Sequence, residues 1–205
     1  MDVTAAIRIE RAEPGPTGST PDRPVTRYVV LLRGINVGGK NPVPMARLRE
    51  VLGDLGYADV VTYIASGNVI LSSRHGADRI KREIEAALPK AFKLHSELVA
   101  VLVLSAAQLR AVVAKRPKGF GDEPTRYHSD AIFLMGIDAK AAMEAFDPRD
   151  GIDTVWPGKD VIYSQRLSAE RTKSRLNKIA ASPMYKAMTI RNWATTTKLA
   201  DLVAD

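Results

Sequence analysis

The stretch Tyr28-Val29-Val30-Leu31-Leu32-Arg33-Gly34 decides how the chain around it is interpreted. Its apolar run has the length of a buried strand, and the glycine after it begins a loop. Pro44 then begins a helix at the first helical position, where a missing N–H costs nothing. Apolar residues recur at every third or fourth position as far as Leu55, so a strand, a loop and an amphipathic helix are predicted in that order.

The residues that follow extend this pattern. Two short strands, 60–64 and 68–72, flank Ser66-Gly67, which is a hairpin signal. Periodic apolar residues over 80–88 predict a second helix that Pro89 ends, and 98–104 reads as a fourth strand. Ser105 is expected to cap a further helix that runs to about residue 115. The order is therefore β-α-β-β-α-β with an appended helix.

The same order of elements returns in the second half of the chain. Strands are predicted at 131–135, 154–156, 160–163 and 186–190, with helices at 139–146, 168–181 and 192–203. The predicted fold class is α+β, a tandem repeat of two ferredoxin-like (βαββαβ) plaits, each with an appended helix. Its expected division is a disordered extension over 1–26, repeats over 27–115 and 128–205, and a linker over 116–127.

Composition excludes several classes of protein. The 205 residues contain no cysteine, and the three histidines stand apart from one another, so disulfides, thiolate metal sites and helical metal sites are not expected. The longest strongly apolar run, 98–104, is far shorter than the roughly 20 residues that span a bilayer. We therefore expect a cytoplasmic protein with no metal, no cofactor and no membrane association.

The positive charge is concentrated in one segment. Residues 157–198 hold nine lysines and arginines against two acids, so this segment carries the whole net charge of +7. A chain that is basic throughout, as a histone-like protein is, is thereby excluded. The charge predicts an anionic partner for the second half of the chain.

The glycine-rich loop is the first candidate site. Gly34, Gly38 and Gly39 lie between a strand and a helix, so consecutive backbone N–H groups could face an anion, with Arg33 and Lys40 adding charge. The glycine spacing fits neither a Walker A loop nor a dinucleotide fingerprint. In the alternative interpretation the glycines only supply positive φ angles for a tight connection. Plait topology places this loop near Ser66-Gly67, and residues 136–137 near Pro157-Gly158.

The basic segment is the second candidate. On a helix over 168–181, Arg171, Arg175 and Lys178 would form one stripe with few acidic partners, while Leu176, Ile179 and Ala180 face the core. A solvated basic face is the alternative. After it, Asn192 is expected to cap the last helix, with Arg191 beside that helix N-terminus in a position that suits a phosphate or carboxylate. Trp193 is interpreted as a core anchor rather than a stacking platform.

Four blocks of this sequence together resemble a known family. They are Arg27–Gly39, Tyr63–Val69, Lys173–Arg175 and Met188–Trp193, and the resemblance to the domain-of-unknown-function family 1697 covers about residues 27–200. It implies the same tandem ferredoxin-like α+β architecture. It implies no activity, because that family is uncharacterised.

These observations favour a module that binds a phosphate- or carboxylate-bearing small molecule. The candidate ligand-binding residues are Arg33, Gly34, Asn36, Gly38, Gly39, Lys40, Ser66, Gly67, Asn68, Lys173, Arg175, Arg191 and Asn192. The alternatives are sequence-nonspecific nucleic-acid association through 157–198 and a protein-interaction or self-assembly module, with the oligomeric state open. RNA stacking on the first sheet is not expected, since strand 68–72 has no aromatic residue. An enzyme is not ruled out, although no nucleophile or base can be named, Asp130 having no evident partner.

Overall fold

A computed structural model of the chain describes residues 23–95 and 99–204. Most of the extension expected over 1–26 therefore lies outside the described residues. The first half contains β1 (Thr26–Arg33), α1 (Met45–Asp54), β2 (Ala58–Tyr63), β3 (Asn68–Ser73), α2 (Ala77–Ala91), β4 (Ala100–Ser105) and α3 (Ala106–Ala114). The second contains β5 (Tyr127–Leu134), α4 (Ala139–Met143), β6 (Asp153–Pro157), β7 (Val161–Leu167), β8 (Met188–Asn192) and α5 (Trp193–Ala204).

The strands form two four-stranded antiparallel sheets. Their orders are β2-β3-β1-β4 and β6-β7-β5-β8, so each half places its first strand inside its sheet and its second strand at an edge. In the first sheet Tyr28 stands opposite Leu71 on one side and Ser105 on the other. The predicted α+β class is confirmed.

Residues 28–32 of β1 are all apolar, and both faces of this part of the strand are covered. Tyr28, Val30 and Leu32 pack into an outer core with α1 and α2. Val29 and Leu31, which alternate with them, pack into a second core. Since successive side chains of a strand point to opposite faces, a strand buried on both faces loses the usual polar alternation.

That second core, here the central core, is shared by the two halves. Val29 and Leu31 meet Phe133 of β5 and Tyr163 of β7 in it, together with buried residues of α3 and α5. The Tyr163 hydroxyl donates to Val112 O at 2.7 Å, which ties β7 to α3. The two appended helices thus lie between the two sheets. The segment between the halves also contributes, because Phe120 is fully buried in the same core.

Capping and helix-breaking residues in the sequence predict most helix ends to within one or two residues of their positions in the structure. Ser105 caps α3 as predicted, with its Oγ accepting from Gln108 N in a capping box. Two proline interpretations are wrong in detail. Pro44 is the N-cap of α1 rather than its first helical residue, and α2 continues through Pro89 to Ala91. Because Pro89 has no N–H, the helix passes it without the backbone hydrogen bond to the carbonyl of Glu85.

The helix predicted over 168–181 is wrong. The structure has short 3₁₀ helices at Ser168–Glu170, Leu176–Ala181 and Pro183–Ala187 instead. Leu176 and Ile179 are buried as expected, whereas Ala180 is exposed rather than facing the core. A buried carboxylate helps to fix the segment, since Asp153 Oδ2 accepts from Arg175 N at 2.8 Å. The single stripe of Arg171, Arg175 and Lys178 therefore does not form.

Candidate functional site

Two asparagine side chains organise the glycine-rich loop. Asn36 Nδ2 donates to Val43 O at 2.9 Å and to Ala65 O at 2.8 Å, while its Oδ1 accepts from Val43 N at 2.7 Å. Asn41 Nδ2 donates to Gly34 O at 2.8 Å. These side chains hold the base of the loop by internal hydrogen bonds.

The tip of the loop is a tight turn. Lys40 N donates to Val37 O at 2.9 Å, and the two residues between them, Gly38 and Gly39, have φ angles of +56° and +74°. Positive φ at both central positions is the geometry of a type I′ turn, which glycine adopts without strain. The two glycines therefore allow the backbone at the tip of the loop to adopt positive φ angles.

The loop and the Ser66-Gly67 turn lie together, as the topology predicts. Leu32 N donates to Gly67 O at 2.8 Å. Ile35 covers Gly67 so closely that a Cβ there would lie 2.8 Å from Ile35 Cδ1. In the second half the corresponding strand end approaches the residue after its hairpin turn, with Leu134 N donating to Asp160 O at 3.0 Å.

The edge of the first sheet where the glycine-rich loop (34–40) meets the turn at 66–68 is here called the rim. Arg191 lies at the rim, but its side chain is buried in the protein. It is 7% exposed, and its Nη2 donates to Leu32 O at 2.8 Å and to Ser66 O at 3.1 Å. Its Nε donates to Asn68 Oδ1, and its Nη1 donates to Ile190 O at 2.8 Å. All three guanidinium nitrogens are thus bound to protein acceptors. Burial lowers the pKa of Arg191 to about 10.

Arg33 makes the reciprocal connection from the first half. Its Nε donates to Met188 O at 2.8 Å, and its guanidinium lies 5.0 Å from the centre of the Tyr185 ring. Arg33 and Arg191 therefore each reach from one half of the chain to the other. Both arginines serve the contact between the halves.

The remaining predicted residues lie apart from the rim or in other roles. Asn192 caps α5 as predicted, its Oδ1 accepting from Thr195 N at 2.7 Å. The expected lack of acidic partners in the basic segment is wrong. Lys173 pairs with Glu170 at 2.8 Å, and Arg175 pairs with Asp147 at 3.2 Å. Lys178 lies 3.5 Å from the same Asp147. Lys173, Arg175 and Lys178 thus pair with acids of the second half, whereas Arg191 of the same segment reaches the first half beside the glycine-rich loop.

A histidine–aspartate pair lies on the outer face of the second sheet. His128 Nε2 is 3.1 Å from Asp130 Oδ1, the two residues being neighbours on one face of β5. Burial raises the pKa of the Asp130 carboxyl, although His128 and Arg166 act against that shift. Asp130 does have a titratable partner, contrary to the sequence analysis.

A pocket of about 360 Å³ lies beside this pair and is lined by His128, Arg166, Ser168 and Arg171, here called the basic pocket. Arg166 stands opposite His128 in the register of β5 and β7. Arg166 Nη1 donates to Asn177 Oδ1 at 3.2 Å. The Arg171 side chain is exposed and makes no hydrogen bond or ion pair with any residue that the structure describes. The guanidinium groups of Arg166 and Arg171 in this pocket therefore make few hydrogen bonds to the described residues.

Two further cavities meet the basic pocket at His128. One, of about 270 Å³, runs beneath the 3₁₀ helices and includes Asp130 and Tyr185. The other, of about 450 Å³, lies at the start of α5 beside Trp193 and is here called the aromatic cavity. His128 is the residue that all three share.

Strand periodicity was the signal that could have found this pair. His128 and Asp130 are two residues apart, and residues two apart share a face wherever a strand forms. The predicted strand begins at residue 131, so it excludes both the histidine and the aspartate. Arg166 and Arg171 could not be placed beside them without the pairing of β5 with β7.

No helix within residues 23–95 and 99–204 is long and apolar enough to cross a membrane. Nor do those residues contain a group of three or more histidine or carboxylate side chains that could hold a metal ion.

Comparisons with known proteins agree with this α+β architecture. The family model described as "Protein of unknown function (DUF1697)" matches residues 25–163, and the chain belongs to that family. Among solved structures, the chain resembles the conserved bacterial protein SP0830 from Streptococcus pneumoniae, with a TM-score of 0.75 and 29% sequence identity. That alignment covers 88% of this chain and 99% of the other. A search of curated proteins gives no match.

Proposed function

We propose that the protein binds a small anion bearing a phosphate or carboxylate group in the basic pocket. One observation carries this proposal: each of the four side chains that line the pocket can donate hydrogen bonds to an anionic oxygen. Two of them are arginines, whose planar guanidinium groups match the geometry of carboxylate and phosphate.

The state of the surrounding charges supports this placement. Arg171 has no ion pair in the described part of the chain, so anion binding there does not have to break one. Asp130 contacts His128 but is not among the four residues that line the pocket.

The rim around the glycine-rich loop remains a separate predicted site. Its residues are Arg33, Gly34, Asn36, Gly38, Gly39, Lys40, Ser66, Gly67, Asn68, Arg191 and Asn192. We favour the basic pocket because the nitrogens of Arg191 already donate to backbone and side-chain oxygens. Lys173 and Arg175 carry acidic partners, which also weakens the case for a nucleic-acid surface over 157–198.

We also propose that the two sheets are tandem ferredoxin-like plaits over 27–115 and 128–205, in a cytoplasmic protein. The strand order supports this, because it is the same in both halves once the strands are numbered within each half. The second plait would then have 3₁₀ helices where the first has α2. Residues 116–127, predicted as a linker, pack Phe120 into the central core.

Isothermal titration calorimetry with inorganic phosphate tests the binding proposal. We expect Arg171→Ala to weaken phosphate binding about tenfold, since a hydrogen bond to a charged group contributes roughly 1.5–3 kcal/mol. The matched control is Arg110→Ala, which removes an exposed arginine on α3 that does not line the pocket. Equal affinities in the wild type and Arg171→Ala, or no phosphate binding at low salt, would overturn the proposal.

A further inference from the structure

We propose that the bound anion is a phosphate ester that carries a heteroaromatic ring, such as a mononucleotide, with its ring in the aromatic cavity. This inference rests on the proposed function, because the phosphate is assigned to the basic pocket. It adds the organic part of the ligand and the residues that recognise it.

The position and size of the aromatic cavity support this assignment. It has a volume of about 450 Å³ and shares His128 with the basic pocket. A ligand that spans both would therefore pass His128, with its anionic group on one side and its organic part on the other. Ligand sites of this kind are largely apolar with a few placed polar groups.

The lining of the aromatic cavity suits a flat ring. Trp193, Tyr127 and Pro124 contribute apolar and aromatic surface. Trp193 is held in place from behind, since its ring lies 5.0 Å from that of the buried Phe120 in an edge-to-face contact. Gly121 admits this position, because a Cβ there would come within 2.4 Å of the indole. Trp193 packs against the central core, as predicted for an anchor, and we infer that its cavity-lining surface also offers a preformed stacking platform.

Two N–H donors of the same cavity favour a ring that contains heteroatoms. The indole N–H of Trp193 and the side-chain amide nitrogen of Asn192 have no hydrogen-bond partner among the described residues, and both residues line the cavity. Ring nitrogens and exocyclic carbonyl groups accept hydrogen bonds, and hydrocarbon rings do not. Nucleobases provide both acceptors and a stacking face.

Calorimetric titration of the full chain with inorganic phosphate, ribose 5-phosphate, AMP and CMP tests the assignment. We expect AMP and CMP to bind about tenfold more tightly than ribose 5-phosphate, the gain that a stacked base gives. The blocking variant is Ala194→Phe, which places a ring on an exposed residue that lines the cavity. It should abolish the advantage of the nucleotides and leave the affinity for inorganic phosphate unchanged.

The control variant is Ala204→Phe, a substitution at an exposed residue at the other end of α5. It should behave as the wild type does. Equal affinities for AMP and ribose 5-phosphate would overturn the ring assignment while leaving the anion site in place. Nucleotide preference that survives Ala194→Phe would place the ring elsewhere and would also overturn it. Absence of binding by all four ligands would remove the proposed function and this inference together.

Discussion

Arg191 is a buried cation that has no acidic partner among residues 23–95 and 99–204, and its charge is balanced by oxygen dipoles. Its guanidinium gathers carbonyl oxygens from β1 and from the Ser66-Gly67 turn, while it belongs to β8. Such a group is costly to bury and costly to remove, because removal leaves several acceptors without donors in a dry environment.

We predict that Arg191→Leu lowers the free energy of unfolding by about 3 kcal/mol, since the oxygens of Leu32 and Ser66 lose their donor. Urea denaturation measures this change. Arg110→Leu, an exposed change of the same kind on α3, should cost less than about 0.5 kcal/mol. A loss below about 1 kcal/mol for Arg191→Leu would show that water replaces these bonds.

Asp130 gives a prediction about pH. Its pKa is raised in the folded state by burial, so the native protein binds its proton more tightly than the unfolded chain does. The stability that Asp130 contributes is therefore fully present below its unfolded pKa and is lost as the pH rises through the folded pKa. We expect Asp130→Asn to be more stable than the wild type at pH 7 and to lose that advantage near pH 4. Urea midpoints at the two pH values measure this, and a variant less stable at pH 7 would contradict it.

Individual residues also show how far sequence reasoning reaches. The caps Ser105 and Asn192 were predictable, because a cap depends on its immediate neighbours. The inward orientation of Arg191 was not predictable, since its acceptors on Leu32 and Ser66 lie more than 120 residues away along the chain. From the sequence alone, a basic residue beside a helix N-terminus could equally be exposed and free to bind an anion. Only the packing of the two halves against each other determines that Arg191 is buried.

At the scale of elements, apolar strands were predicted more reliably than the segment 168–187. Strand β1 is buried on both faces, so its apolar run has one simple explanation. Leu176 and Ile179 are three residues apart, a spacing that fits the 3₁₀ period as well as the α-helical one. A tertiary contact that the sequence does not reveal anchors the segment: Asp153 Oδ2 accepts from the backbone N–H groups of both Arg175 and Arg149.

We predict that Asp153→Ala releases this segment, because both N–H groups lose their acceptor at a buried position. The expected cost is about 2 kcal/mol of unfolding free energy. Hydrogen exchange followed by mass spectrometry should show that residues 171–182 exchange faster in the variant than in the wild type, while exchange in β1 is unchanged. Phosphate binding should weaken as well, because Arg171 is displaced. Unchanged exchange over 171–182 would show that other contacts hold the segment.

At the scale of the whole molecule, the central core makes the two halves depend on each other. It joins residues of β1, β5, β7, α3 and α5, and the Tyr163 hydroxyl reaches Val112 O across it. The order of elements could be predicted from the sequence, whereas the shared core could not. Apolar periodicity identifies the buried face of a strand or helix but not the element that packs against that face.

We predict that the halves unfold in one cooperative transition, since neither sheet keeps its inner face covered without the other. Circular dichroism and tryptophan fluorescence should give coincident urea curves. Tyr163→Phe should shift both curves together by about 1 kcal/mol, the contribution of one buried hydrogen bond. Two resolved transitions, with only one shifted by Tyr163→Phe, would identify independent domains.

The placement of the anion in the second half can be measured most directly by an amide and side-chain NMR titration with inorganic phosphate at low salt. We predict that the shifts concentrate on the four residues of the basic pocket, His128, Arg166, Ser168 and Arg171. Shifts that concentrate instead on residues 34–40 and 66–68, or no shifts at all, would contradict the assignment.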